Sequence, residues 1–482
     1  MDGVLVAAAC LVALTAAACV SEDEGMSPEL VRDSAFAGYT SPEAKQTACG
    51  SCHTSTQREW QQTRHASAWA GLQAGGHADS TCWKCHTVNG ATNLGNDTVG
   101  FFSVSEASRQ YYQDVQCESC HGPGAGHVSA PEESQPIASI SADTGAADGC
   151  GTCHNGTHHP FVEQWRRSLH GTYIPAEAAN ASCAFCHEGK ARLALWAPGT
   201  TYRERSVTPG YQPITCAVCH DPHSNANPGQ LRRPLSADTA TNLCAACHQR
   251  RPVPQLSSSS GPHAPQGPTL FGISGWRPAG YEFPTTPMRH GETERSCATC
   301  HVSRFTVNDA QGDFAYQSVG HSFLAIPCVN SAGMPDSTNS CGDASRNFSA
   351  CASSECHGSE SHARELRAGL EEDLLPLVRT LWIDGNGNGR LDAFPTDSGM
   401  VAVIRQTQPT QFSTSDTLVT TAEGSFFNAH LVGTSDGSMG VHNPFLEERL
   451  LTASIAEMRR VYALPVPPAI AARVAGLGVT RR

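Results

Sequence analysis

The 482-residue sequence is poor in the ingredients of an ordinary protein core. Hydrophobic residues reach only 39%, aromatic residues 7% and charged residues 16%. A domain of this length normally fills its interior with Leu, Ile, Val and Phe, so something other than side chains must occupy much of this one. Methionine is scarce, seven in all, with Met1 and Met26 close to the N-terminus. A protein that needs many thioether metal ligands is thereby excluded. Lys and Arg number 32 against 45 Asp and Glu, for a formal net charge of −13. That balance disfavours nucleic acid and favours neutral or basic partners. Beyond the N-terminal segment, no apolar run approaches the roughly 20 residues of a membrane-spanning helix.

Residues 1–19, MDGVLVAAACLVALTAAAC, form an apolar run cut off by Ser21-Glu22-Asp23-Glu24. The run is too short to span a bilayer and has the length of an export signal. Ala16, Ala17 and Ala18 before Cys19 resemble a bacterial lipoprotein signal, in which Cys19 becomes the lipidated N-terminus. Asp2, the lack of Lys or Arg, and Ala16 in place of Leu depart from that pattern. The expectation is an exported bacterial protein of the periplasm, outer membrane or cell surface, touching membrane only through such an anchor.

Cysteine and histidine are in excess, 22 of each. Eight times the chain reads Cys-x-x-Cys-His, with cysteine pairs Cys49/Cys52, Cys82/Cys85, Cys117/Cys120, Cys150/Cys153, Cys183/Cys186, Cys216/Cys219, Cys244/Cys247 and Cys297/Cys300. A ninth motif, Cys351/Cys356-His357, has four intervening residues. Two thiols so spaced add across the two vinyl groups of one haem, and the imidazole that follows is placed under the iron. Zinc knuckles and thioredoxin-like dithiols also pair cysteines, but neither needs His directly after the second Cys. Nine such motifs predict nine covalent haems c. Four cysteines remain: Cys10 and Cys19 in the leader, and Cys328 and Cys341. The last two form a disulfide in an oxidising compartment or stay as free thiols.

The proximal ligands are then His53, His86, His121, His154, His187, His220, His248, His301 and His357. Thirteen other His can supply sixth ligands, enough for bis-His coordination throughout, which predicts low potentials.

The motifs repeat. Those starting at 49, 82 and 117 recur at 150, 183 and 216, with offsets of 101, 101 and 99 residues. The last three, at 244, 297 and 351, are spaced more widely. The third motif of each group is followed by a second His: His127, His223 and His362. Too near to round its own porphyrin, it should reach a neighbour's iron. Between the first and second motifs lies another recurring His, in Trp60-x4-His65, in Trp165-x4-His170, and at Met288-Arg289-His290-Gly291, which echoes His170-Gly171. Beyond these six, His321 and His442 are preferred, then one of His158 and His159. His77 competes with His65, and His263 and His430 are left over. The expected organisation is a signal (1–19), a linker (20–48), three three-haem modules (49–149, 150–243 and 244–363) and a helical C-terminal region (364–482).

In that region Leu366, Leu370, Leu374, Val378 and Leu381 recur at helical spacing. Asn443-Pro444 opens a second helix, with Asn as N-cap, Glu447 and Glu448 in the first turn and Arg459 and Arg460 near the end. Its apolar face is Leu446, Leu450, Ile455, Met458 and Tyr462, and such helices should lid the haem stack. Pro465, Pro467 and Pro468 should end the ordered part. Asp384, Asn386, Asn388, Gly389 and Asp392 follow the first nine positions of a calcium loop, but Pro395 stands where a bidentate Glu is expected. Asp397 is the substitute, and the alternative is a solvated Gly/Asn turn. Any calcium there is structural.

The Trp-x4-His elements, Cys117-Glu-Ser-Cys-His-Gly-Pro-Gly124 and Gly440-Val-His-Asn-Pro444 resemble the multihaem superfamily of cytochrome c nitrite reductase and hydroxylamine oxidoreductase. The chain is also similar to outer-membrane electron-conducting cytochromes. The resemblance implies a mainly α fold with extensive loops and little β, a core largely of stacked haems, and His442 as a distal ligand. The nitrite reductases mark their catalytic haem with a motif ending in Lys, whereas all nine motifs here end in His. The functional expectation is electron transfer between redox proteins, or to an extracellular acceptor, by a chain that can assemble with copies of itself. The alternative is an oxidoreductase acting on a small nitrogen or sulfur oxyanion at one five-coordinate haem.

Overall fold

The computed structural model describes residues 35–475 apart from 77, 90–99, 137–148, 197–209, 257–259, 285–288, 337–339 and 416. The leader with Cys10 and Cys19, and His77, lie outside the described residues.

The chain up to residue 359 is built of short helical turns joined by loops, with only two small antiparallel hairpins among the described residues. One pairs β1 (Tyr39–Ser41) with β2 (Gln46–Thr47), the other β3 (Phe305–Asn308) with β4 (Phe314–Ser318). Helices such as α1 (Thr54–Trp60) and α2 (Phe161–Arg167) run only seven residues. Segments this short are not stable helices by themselves, so their positions must be set by what they pack against. Apolar clusters here are small: Phe36, Val88, Phe101 and Tyr112 form one, Leu193 and Val218 another.

The two Trp-x4-His elements show how the repeat is built. Trp60 ends α1 and donates its indole N–H to the carbonyl of Val115, 3.1 Å away. Trp165 in α2 donates to that of Ile214 at 2.8 Å. Each acceptor stands two residues before the third motif of its module, at Cys117 and Cys216. A buried indole N–H needs such a partner, and this one ties the first motif's helix to the third motif.

The carboxy-terminal region has the conventional core that the rest lacks. It comprises α3 (Glu360–Leu381), α4 (Met400–Thr407), α5 (Thr421–His430), α6 (Pro444–Tyr462) and α7 (Pro468–Ala475). Ser359 caps α3 by accepting from His362 N, Thr420 and Glu423 form a reciprocal capping box on α5, and Asn443 Oδ1 accepts from Leu446 N at the start of α6. Leu374, Leu377, Val378 and Leu381 of α3 pack with Leu451, Ile455 and Met458 of α6. Each fully buried side chain of this kind stabilises by about 1.5–3 kcal/mol. The prolines at 465–468 do not end the ordered chain. Pro468 takes the first position of α7, where its missing N–H costs nothing, and Ile470 and Val474 join the core. Cys328 and Cys341 are disulfide-bonded. Among the described residues, no helix is long and apolar enough to cross a membrane.

Candidate functional site

Each motif is a single helical turn that sets its thiols and imidazole on one side. His53 N donates to the carbonyl of Cys49 at 2.9 Å, and His121, His154, His187, His220 and His248 repeat this bond to the first cysteine of their own motifs. The longer ninth motif keeps it too: His357 N donates to Cys351 O at 3.2 Å. Its two additional residues are looped out without changing the closure.

The motifs gather around one continuous cavity of about 3450 Å³. Eight of the nine proximal imidazoles reach it; His53 alone stands outside, at one end with His127. Several large apolar side chains lining this space are left exposed by the protein, among them Leu169 (91% exposed), Ile174, Leu366 and Phe445 (64% exposed). Apolar surface left open in a groove marks a ligand that covers it, and an apolar macrocycle fits. Leu366 and Phe445 belong to α3 and α6, so the C-terminal helices do form one wall.

In sequence the first motif reads like the seven others of the same spacing, and it is not equivalent to them in place. Cys52 is exposed and, like Cys49 and Cys82, contributes nothing to the cavity wall. The reason is position. Of the first motif's two thiols only Cys49 is half-buried, in contact with Cys117 of the third motif. Cys120, Cys150 and Cys356 are exposed as well, but they line the cavity.

Within this frame the imidazoles meet in pairs. Ring centroids are 6.4 Å apart for His53 and His127, 6.2 Å for His154 and His65, and 5.9 Å for His121 and His223. They are 6.1 Å apart for His187 and His263, 6.2 Å for His220 and His321, and 6.1 Å for His248 and His170. For His301 and His442 the separation is 6.1 Å, and for His357 and His290 it is 6.0 Å. These spans are close to uniform, too wide for direct stacking and right for two rings on opposite sides of one metal atom. His86 forms no such ring pair among the described residues; His159 and His65 both lie within its electrostatic reach.

Hydrogen bonds orient many of these rings through Nδ1, leaving Nε2 free to face the gap. His86 Nδ1 bonds the Ala68 carbonyl at 2.9 Å, His220 that of Gly229 at 2.8 Å and His301 that of Phe323 at 2.9 Å. His127 bonds Ser134 O at 2.7 Å and His290 bonds Val441 O at 2.8 Å. His442 uses Asp436 at 2.8 Å, and His187 Nδ1 stands 2.8 Å from Glu177 Oε2. Burial pushes the pKa of His154, His170 and His321 down to about 4, which keeps them in the neutral form that binds metal. His442 is the exception: burial opposes its charge, but Asp436 outweighs burial and raises its pKa.

Several expectations change here. Among the described residues, the imidazole that His362 meets is that of its own motif rather than a neighbour's. Its N–H is engaged in capping α3, which folds it back to 6.4 Å from His357 of its own motif, while His290 lies closer. His263, unassigned from sequence, faces His187. Its signal was its place after the first motif of its module, the place His159 also takes. His158 stacks on Phe314 at 4.5 Å and meets no other imidazole among the described residues. His430 is half-buried against Trp382 and Phe426 of the C-terminal core. Asp397 is not available to the calcium loop: it accepts from Trp382 Nε1 at 2.7 Å, Asp392 N at 2.8 Å and Gly385 N at 3.1 Å. Among the described residues, no three His, Cys, Asp or Glu side chains converge as a tetrahedral zinc site requires.

A fold of short turns around a cavity lined by Cys-Cys-His motifs and facing imidazoles is that of a multihaem c-type cytochrome, with haem c held covalently. Known proteins agree. Residues 48–122 match the family described as cytochrome c554 and c-prime, and residues 211–252 match the doubled CXXCH motif. Multiheme cytochrome MtrA of Shewanella baltica is 26% identical over 199 residues, 37% of this chain and 55% of that one. C-type polyheme cytochrome OmcC of Geobacter sulfurreducens is 27% identical over 202 residues, 35% of this chain and 26% of that one. The matches thus span about half and about a quarter of those relatives. The crystal structure of outer cell wall cytochrome OcwA superposes with a TM-score of 0.55 at 18% identity, covering 88% of this chain and all of that one. The likeness thus runs to multihaem and polyhaem c-type cytochromes and, in fold, to a cytochrome of an outer cell wall.

Proposed function

We propose that the chain holds nine haems c, each between two histidines, and relays electrons between redox partners on the exported side of a bacterial envelope, ending at an extracellular acceptor. The observation that carries this is the set of facing imidazoles. Eight of the nine proximal His have a second imidazole across a gap, and His159 serves the ninth, so each iron has a sixth ligand and none is open to substrate. Haems so ligated exchange single electrons through their edges. The chain's own residues do the rest. The cysteines fix each ring, with Cys49 and Cys52 fixing the first at the open end. The Nδ1 partners orient the ligands, and the shared cavity keeps neighbouring rings adjacent.

The sixth ligands in this reading are His127, His159, His223, His65, His263, His321, His170, His442 and His290, in the chain order of the proximal ligands. Asp384, Asn386, Asn388 and Asp392 hold a structural calcium ion; Asn386 Nδ2 and Asn388 Nδ2 both already turn to Asp392 Oδ2, at 2.9 and 2.8 Å. Partners are neutral or basic, matching the net charge of −13.

The test is the mass of the mature holoprotein together with paramagnetic resonance of its oxidised form. Nine added macrocycles and nine low-spin irons are expected. One high-spin iron that binds cyanide would instead support the oxyanion-reducing alternative, and the iron on His86, whose ligand His159 makes no close ring pair with it, is where it would fall.

A further inference from the structure

Number the sites 1 to 9 by motif. Thiols of different motifs meet in pairs, and the pairs obey two rules. Cys49 contacts Cys117 and Cys150 contacts Cys216, joining the first site of a module to its last. Cys85 contacts Cys153 and Cys186 contacts Cys247, joining a middle site to the first site of the next module.

The imidazole pairs give an independent classification. First sites take their second His from the preceding module: His154 from His65, and His248 from His170. Last sites take theirs from downstream, His121 from His223 and His220 from His321. Site 1 has no module before it, and His127 of its own module serves instead.

By both criteria the last three motifs are not a third copy of the triplet. Cys297 of site 8 contacts Cys244 of site 7, as a last site does, and His301 takes its partner, His442, from downstream. His357 of site 9 faces His290 from upstream, as a first site does.

We propose that site 8 is the last site of a module without a middle one, and that site 9 opens a fourth module reduced to its first site. This rests on the nine-haem reading above and orders the sites in space. Within modules the contacts join 1 to 3, 4 to 6 and 7 to 8. Between modules, Cys120 neighbours Cys150, Cys219 neighbours Cys247, and Cys300 neighbours Cys351 and Cys356. The sites therefore form one row, 1–3–4–6–7–8–9, with sites 2 and 5 lying beside it at sites 4 and 7. The exposure of Cys52, in site 1, suits a site at the end of the row. The wide spacing after residue 244 is the trace of the lost middle site. Helix α3 begins at Glu360, three residues beyond His357, where the rest of a fourth module would stand. His442, at the start of α6, supplies the ligand that module would have given to site 8.

An experimental density map of the holoprotein, by crystallography or electron microscopy, tests this by locating each iron and tracing it to its cysteines. The expected map has sites 1 and 9 at the two ends and sites 2 and 5 with a single row neighbour each. Nine irons in another order, for example site 5 between sites 6 and 7, would overturn the row and leave the nine-haem reading intact. Irons absent from intact cysteine pairs would overturn both.

Discussion

His65 and His154 face each other across 6.2 Å, one from the first module and one from the first motif of the second. A ligand shared this way ties consecutive modules together, so binding one haem also fixes the joint between two parts of the chain. Metal binding of this kind contributes directly to folding free energy.

Replacing His65→Ala should convert one low-spin iron to high-spin while the covalent haem count stays at nine. The count is read by mass, the spin state by paramagnetic resonance. His77→Ala should leave both unchanged. A high-spin iron in the second variant would transfer the ligand role from His65 to His77.

Asp436 is buried and bonds His442 Nδ1 at 2.8 Å. A carboxylate there makes the imidazole more basic and favours the oxidised iron. Asp436→Asn keeps an acceptor and removes the charge, so the potential of one haem should rise. A tenfold change in relative affinity corresponds to about 59 mV for one electron, and a shift of roughly half to one such step is expected in a spectropotentiometric titration. An unchanged titration would show that the carboxylate does not tune the site.

Leu451 is fully buried in the C-terminal core, away from the cavity. Leu451→Ala should cost about 2–5 kcal/mol through lost burial and a residual void. Urea unfolding followed by far-ultraviolet dichroism should show an earlier transition, with the haem content of the purified protein unaltered.

Calcium at Asp384–Asp392 should raise the unfolding temperature of the chelator-treated protein. At about 100 times the dissociation constant the gain is about 2.7 kcal/mol. Asp384→Ala should abolish the gain. Carbonyl and Asn oxygens make up most of the remaining ligands, so magnesium should not substitute.

Some of this architecture is local chemistry and was readable as such. Thioether attachment needs Cys, Cys and His within one turn, so Cys117, Cys120 and His121 declare themselves wherever the turn lies in space. The same holds for Asn443 and Pro444, whose cap and first-position roles act only on the helix they begin. What surrounds a motif is different in kind. Nothing within Cys49-Gly-Ser-Cys52 says that its second thiol faces solvent, because that follows from which motifs lie beside it. What a distal imidazole meets is equally hidden. His362 and His127 follow their motifs at nearly the same distance, yet one starts a long helix and folds back while the other reaches His53. His263 is marked only by its place after the first motif of its module, which does not tell that it faces His187.

The amino-acid sequence by itself determined which residues carry haem, because that bond is made between groups a few residues apart. Only the tertiary structure decided which imidazole stands opposite which. Those relationships join positions scores of residues apart, and it is the packing of loops about a common cavity that brings them within a metal atom's reach.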